Sequence, residues 1–260
     1  MKRSLTLIVC LLLNGCFLFS DKEDTATIPA SELFAKAKDD MNDGNYEQAI
    51  KKFEVLESRY PYGKYAEQAQ LEVAYAYYKS EDAASTVAAC DRFIKLHPSH
   101  PSVDYAYYLK GLANYNENLG LVANIVREDI AERDPKTARE SYDTFKELTT
   151  RFPGSRYAED AGARARFLLN SLAQHELYVA RYYMQRKAYV AAANRAQAVL
   201  QSYPQSPAIE EALLIMVQAY DAMGVVQLRD DAERVLRHNF PDSKYLAKTH
   251  DATRPWWKLW

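Results

Sequence analysis

The chain has 260 residues and a formal charge of −2, from 33 basic and 35 acidic side chains, without the concentrated positive surface that a phosphate backbone demands. That balance argues against nucleic-acid binding. At 48% hydrophobic and 26% charged it has the make-up of a folded soluble body of one large or two small domains, and eight glycines among abundant alanine favour helix over strand.

Lys2 and Arg3 precede a nine-residue apolar run, residues 5–13. A membrane-spanning helix needs roughly 20 apolar residues, so this run reads as a signal sequence rather than an anchor. Leu13-Asn14-Gly15-Cys16 then has the form of a bacterial lipobox. Residues 1–15 are accordingly expected to be a lipoprotein signal peptide, with Cys16 as the lipidation site, N-acylated and carrying an S-diacylglycerol. The plainer alternative is a secretory signal with an incidental cysteine. In lipoproteins of this form an Asp after the cysteine favours inner-membrane retention; here Phe17 follows, which favours the outer membrane, facing the periplasm of a Gram-negative cell. Loss of Lys2 and Arg3 takes the charge from −2 to −4. Of the three cysteines Cys10 leaves with the signal, Cys16 is modified, and Cys90 remains as a small core residue in an apolar helical context. Residues 16–30 are expected to be a lipidated tether, with folded structure starting at Ser31-Glu32.

Five prolines set the frame beyond the tether. Pro61, Pro98, Pro153, Pro204 and Pro241 each follow a ring residue: Tyr60, His97, Phe152, Tyr203 and Phe240. Five positions before each proline stands an apolar residue, and eight after the first four stands alanine: Ala69, Ala106, Ala161 and Ala212. Positions held over this many copies are an internal repeat, each unit reading as helix, turn, helix and a Pro-marked turn. Gly44-Asn45-Tyr46, Ala49 and Phe53 ahead of Pro61 resemble the tetratricopeptide repeat. The expected fold is an all-α solenoid of five tetratricopeptide-like hairpins over residues 31–251. Its units are about 31–61, 65–98, 102–153, 157–204 and 208–241, then a capping helix and a Trp-rich tail at 252–260. Proline spacings of 37, 55, 51 and 37 mark two elaborations: an excursion over residues 116–135 and a lengthened first helix over roughly 157–186.

Chemistry-bearing motifs are missing. There is no Gly-rich phosphate loop, no G-x-S-x-G elbow and no H-E-x-x-H. His97 and His100 sit in a repeat-connecting turn. The expectation is therefore no catalytic residue, no metal and no cofactor. A solenoid of this kind binds through its faces. In tetratricopeptide folds the first helix of each repeat lines the concave face. Counting back from the prolines, that face receives Phe34, Leu71, Tyr75, Tyr78, Tyr105, Tyr108 and Tyr115 as groove candidates. Repeats four and five put mostly polar or small residues there, including Asp160, Glu211 and Asp221, with Phe167 and Leu214 as exceptions.

The lipobox, the tether and five repeats with added length in the third and fourth together resemble the BamD (ComL) family of outer-membrane assembly lipoproteins. Residues 59–79, 91–112 and 133–157 carry the resemblance most closely. It implies a non-catalytic role in the machinery that inserts β-barrel proteins, with the periplasmic domains of BamA, other Bam lipoproteins and unfolded outer-membrane β-barrel proteins as partners. The polar second half is then expected to hold the scaffold, with Arg195 as partner-contact candidate. Trp256, Trp257 and Trp260 are further candidates for a partner or membrane interface. A rival reading is a periplasmic tetratricopeptide scaffold that coordinates cell division or peptidoglycan synthesis.

Overall fold

A computed structural model describes residues 28–126 and 135–246, the side chains of 117–126 excepted. Cys16, the tether through Thr27, residues 127–134 and the tail with Trp256, Trp257 and Trp260 lie outside the described residues. Among the described residues all regular structure is helical. The elements are α1 (Ala30–Asn42), α2 (Tyr46–Arg59), α3 (Lys64–Lys79), α4 (Ala83–Leu96), α5 (Val103–Val126), α6 (Lys136–Arg151), α7 (Ala158–Gln185), α8 (Tyr189–Ser202), α9 (Ile209–Ala222) and α10 (Val226–Asn239). Each helix packs on the next in the chain, so the molecule is an all-α stack of antiparallel hairpins.

The proline marks have a structural reason. A residue before proline is pushed out of the helical region, so each second helix stops there. Tyr60, His97, Phe152, Tyr203 and Phe240 all take that place, with φ between −125° and −135°. The amide of each donates to the carbonyl four residues back, on Leu56, Phe93, Leu148, Val199 and Leu236, at 2.8–2.9 Å. Those five apolar residues, and the four alanines eight residues after the prolines, are fully buried. The repeat period is thus a packing period.

The turns inside the hairpins are equally regular. Gly44, Glu81, Lys187 and Gly224 all have positive φ, between 60° and 79°. In each, the next amide (Asn45, Asp82, Ala188, Val225) reaches a carbonyl five residues back at 2.8–3.0 Å, which closes the helix end in a Schellman turn. Glycine takes this conformation freely, whereas Glu81 and Lys187 take it against Cβ strain.

Two long first helices absorb the extra length. The expected excursion at 116–135 begins as helix: α5 runs unbroken to Val126, so eleven of its residues extend the first helix of repeat three. No proline interrupts the run before Pro135, so propagation continues once the helix is nucleated. At 28 residues, α7 is about 42 Å long. It packs on both α6 and α8, and these two partners are joined to each other where the Arg139 guanidinium bonds the Tyr203 hydroxyl. One buried stripe serves both: Ala161, Ala165, Leu168, Leu172, Leu177, Ala180 and Met184. The core of repeats three to five is consequently continuous from Val103 to Ala219, while repeat one and α3 form a second cluster from Leu33 to Ala76.

Cys90 lies in the seam between them, fully buried against Ala74 and Leu109. Burial pushes its thiol up to about 12, and the Asp91 carboxylate adds to the shift. Thiolate is then scarce at neutral pH. Peptide mapping after treatment with a disulfide reagent is expected to find Cys90 unmodified in native protein and fully modified in urea. Rapid native labelling would contradict the packing.

Candidate binding face

The first helices supply the face. The pairs α1–α3, α3–α5 and α7–α9 approach at backbone distance, whereas α5 and α7 stand further apart. Side chains bridge that wider gap. Tyr105, Tyr108, Leu112 and Tyr115 share one side of α5 at helical spacing. The Tyr157 ring stacks on Tyr108 at 4.6 Å and tilts against Tyr105 at 5.6 Å. Tyr115 meets Phe167 of α7 edge-on at 6.2 Å, and the Arg164 guanidinium lies 4.8 Å from the Tyr115 ring centre. Further along the stack, Asn116 Nδ2 donates to the Tyr78 hydroxyl at 2.9 Å, and Phe34 packs against Tyr65 at 5.7 Å.

Electrostatics hold the rings in place. The Tyr108 hydroxyl donates to Asp160 Oδ2 at 2.8 Å, and Arg164 Nε donates to the same oxygen at 2.6 Å. That Arg164 hydrogen bond holds the Asp160 carboxyl below the usual carboxylate range. Burial pushes the Tyr105 and Tyr108 hydroxyls up, so both are neutral donors at physiological pH. Each ring pair contributes about 0.5–1.5 kcal/mol beyond its buried area. Several in one patch make a stiff surface with flat apolar faces and fixed hydroxyls.

Several expected positions change role. Leu71 is a core residue, 8% exposed and packed on Phe93 and Ala106, because it points into the seam between α3 and its neighbours. Phe34, Tyr75, Tyr78, Tyr105, Tyr108 and Tyr115 are half-buried, so each divides its ring between packing and the face. The aromatic surface also continues into repeat four. Asp160 bonds Tyr108, and Phe167, Tyr178 and Tyr182 form a stripe along α7 at 42%, 41% and 47% exposure. Leu214 is buried, while Glu211 is nearly so and pairs with Arg181 at 2.9 Å. Arg195 stands on α8, half-exposed, with its guanidinium 3.1 Å from Glu176 of α7.

Tyr65 and Tyr157 carry no role in a count confined to first-helix positions, because they sit in the turn or the opening residues. Their signal is present all the same: each stands four residues after a repeat proline, as does Tyr245.

The two turn histidines are engaged locally. His97 Nε2 is 3.1 Å from Gln70 Oε1, and His100 Nε2 is 3.6 Å from Glu67. No group of three metal-capable side chains occurs among the described residues, and no described helix is long and apolar enough to cross a membrane.

Comparison with known proteins accords with this architecture. Residues 26–236 match the family model YfiO, described as an outer membrane lipoprotein. The outer membrane protein assembly factor BamD of Neisseria meningitidis serogroup A is 44% identical over 98% of both chains. The BamD of Xylella fastidiosa strain Temecula1 is 39% identical over 91% of this chain and 80% of its own length. With repeat frame, helical stack and full-length similarity in agreement, the chain belongs to the YfiO family of outer membrane lipoproteins, the family of the outer membrane protein assembly factors named BamD.

Proposed function

We propose that this chain is a non-catalytic, Cys16-anchored scaffold of the β-barrel assembly machinery. It holds unfolded outer-membrane barrel proteins on the aromatic face of α3, α5 and α7. Its second half docks the periplasmic domains of BamA, and other Bam lipoproteins assemble beside it. The observation that carries this reading is the half-exposed ring surface of Tyr75, Tyr78, Tyr105, Tyr108 and Phe167, braced by Asp160 and Arg164. An unfolded barrel segment is extended and rich in aromatic side chains. It needs flat apolar surface for its rings, which the tyrosine faces supply. It also needs hydroxyl donors for its unpaired carbonyls, which a tyrosine such as Tyr78 can supply because its hydroxyl accepts from Asn116 rather than donating to it.

Photocrosslinking to a peptide copied from the last strand of an outer-membrane barrel tests the face. Probes at Tyr75, Tyr78, Tyr105, Tyr108 and Asp160 are expected to capture the peptide, and one at Asp221 is not. Equal capture at all six positions, or none on α3 and α5, would remove the proposed face. For the second surface, Arg195→Glu is expected to lower recovery of BamA in pull-downs while leaving peptide capture intact. Unchanged recovery would place that contact elsewhere.

A further inference from the structure

The polar groups of the aromatic face are unequally committed. The Tyr108 hydroxyl has one proton and gives it to Asp160 Oδ2, so it offers a client no donor. Arg164 Nε bonds the same oxygen at 2.6 Å. Both bonds fall on Oδ2, and Asp160 Oδ1 receives neither, on a side chain 48% exposed. A carboxylate accepts several hydrogen bonds and a guanidinium donates several. Asp160 therefore keeps acceptor capacity, and Arg164, 28% exposed, keeps donor capacity.

This acceptor–donor pair is held in place between two clusters of rings. The Arg164 guanidinium rests 4.8 Å from the Tyr115 ring centre, so little side-chain freedom is left to lose on binding. Asp160 and Arg164 lie on one stripe of α7, between Tyr157 and Phe167, and that stripe meets Tyr108 and Tyr115 of α5. At one end Tyr157 stacks on Tyr108; at the other Tyr115 meets Phe167. The clusters are seven residues apart on α5 and ten on α7, about 10 Å and about 15 Å of helix. Four residues of extended chain cover about 13 Å, between those values. The pair is also neutral as a whole, because the Arg164 charge offsets that of Asp160. A peptide main chain, one donor and one acceptor per residue without net charge, matches it.

We propose that Asp160 and Arg164 clasp the client's main chain, Asp160 accepting the N–H of one residue and Arg164 donating to its C=O. The assignment rests on the aromatic face proposed above. In an extended strand the N–H and C=O of a residue point to the same side, and every second residue repeats that side. A client residue i then places its ring among Tyr105, Tyr108 and Tyr157, and residue i+4 places its ring at Tyr115 and Phe167. Residue i+2 is the one clasped, level with Leu112 of α5. Since N–H precedes C=O along a strand, the client runs parallel to α5 and α7. A grip on main chain reads no side chain, so it holds strands of many sequences in one register.

Fluorescence anisotropy with the last-strand peptide of the crosslinking experiment, chosen with aromatic residues four apart, tests the clasp. The protein is the full-length chain carrying Cys16→Ser, and each backbone N–H of the peptide is methylated in turn. Methylation at i+2 is expected to weaken binding about tenfold, the scale of a hydrogen bond to a charged group, with i and i+4 nearly unchanged. In Asp160→Ala the i+2 methyl is expected to cost nothing further, with helical circular dichroism unchanged. An ester in place of the amide after i+2 weakens that carbonyl as an acceptor, and its penalty is expected to vanish in Arg164→Met. A parent peptide that binds with no methyl-sensitive position, or with an i+2 penalty unchanged in Asp160→Ala, overturns the clasp and leaves the face standing. So does an ester penalty unchanged in Arg164→Met. Binding lost when the peptide's C-terminus is amidated assigns the contact to a terminal carboxylate, which also overturns the clasp. A parent peptide that does not bind at all removes the face, and the clasp with it.

Discussion

Phe145→Ala is expected to lower folding stability by about 3–5 kcal/mol, the range for deleting a large buried aromatic side chain. Phe145 is fully buried on α6, with its ring 6.2 Å from both Tyr108 and Tyr115. It also explains Gly111. A Cβ at that position would sit 2.5 Å from Phe145 Cε1, so α5 approaches α6 closely only because residue 111 has no side chain. The Ser141 hydroxyl, bonded to the Gly111 carbonyl at 2.9 Å, fixes the same approach. Gly111→Ala is expected to destabilise by about 1–3 kcal/mol through overpacking. In the Phe145→Ala background the added methyl enters the cavity, so the double variant is expected to lose less than the sum of the singles. Urea unfolding of the four proteins measures this. Additive losses would show that the two residues do not share a contact. Because this contact underlies Tyr108 and Tyr115, Phe145→Ala is also expected to weaken peptide capture on the aromatic face.

Cys16→Ser is expected to abolish stable membrane attachment. Each buried acyl methylene contributes about 0.8 kcal/mol, so a single chain binds marginally while the several chains of a lipidated cysteine hold firmly. No described helix can replace them, since none is long and apolar enough to cross a bilayer. Fractionation is expected to find the variant in the soluble periplasm or as an uncleaved precursor. Flotation with outer membranes from cells lacking its partners would show that Cys16 is not the anchor.

The repeat frame was legible because it rests on local rules. A residue before proline is pushed out of the helical region wherever it stands, and a glycine followed by Asn, as at Gly44-Asn45, takes the left-handed turn without Cβ strain. Tyr60-Pro61 and Gly44 therefore announce their turns in the sequence itself, and the stacking of successive hairpins follows from the periodic apolar residues that need covering. Glu81 and Lys187 do not announce theirs. Both take the left-handed conformation because the helices they join are already packed, and that packing is a tertiary fact. The insertion after Tyr115 likewise shows its length in the proline spacing, but not that α5 continues through it to Val126.

The candidate face divides in the same way. Its tyrosines could be placed on first helices by counting from the prolines, since helical period and repeat period are both written in the chain. Which side of each ring stays open could not be counted. Leu71 and Tyr75 lie four residues apart on one helix, yet one fills a seam and the other reaches the surface, because the neighbouring helix covers them unequally. The bond from Tyr108 to Asp160 spans 52 residues, and the stack of Tyr157 on Tyr108 spans a whole hairpin. Such partners are set by how α5 and the 28-residue α7 come together in the packed stack. Sequence by itself determined the helices, their pairing and the aromatic residues available; only the packed stack decided which of them form one surface, because burial is a property of neighbours and not of position along the chain.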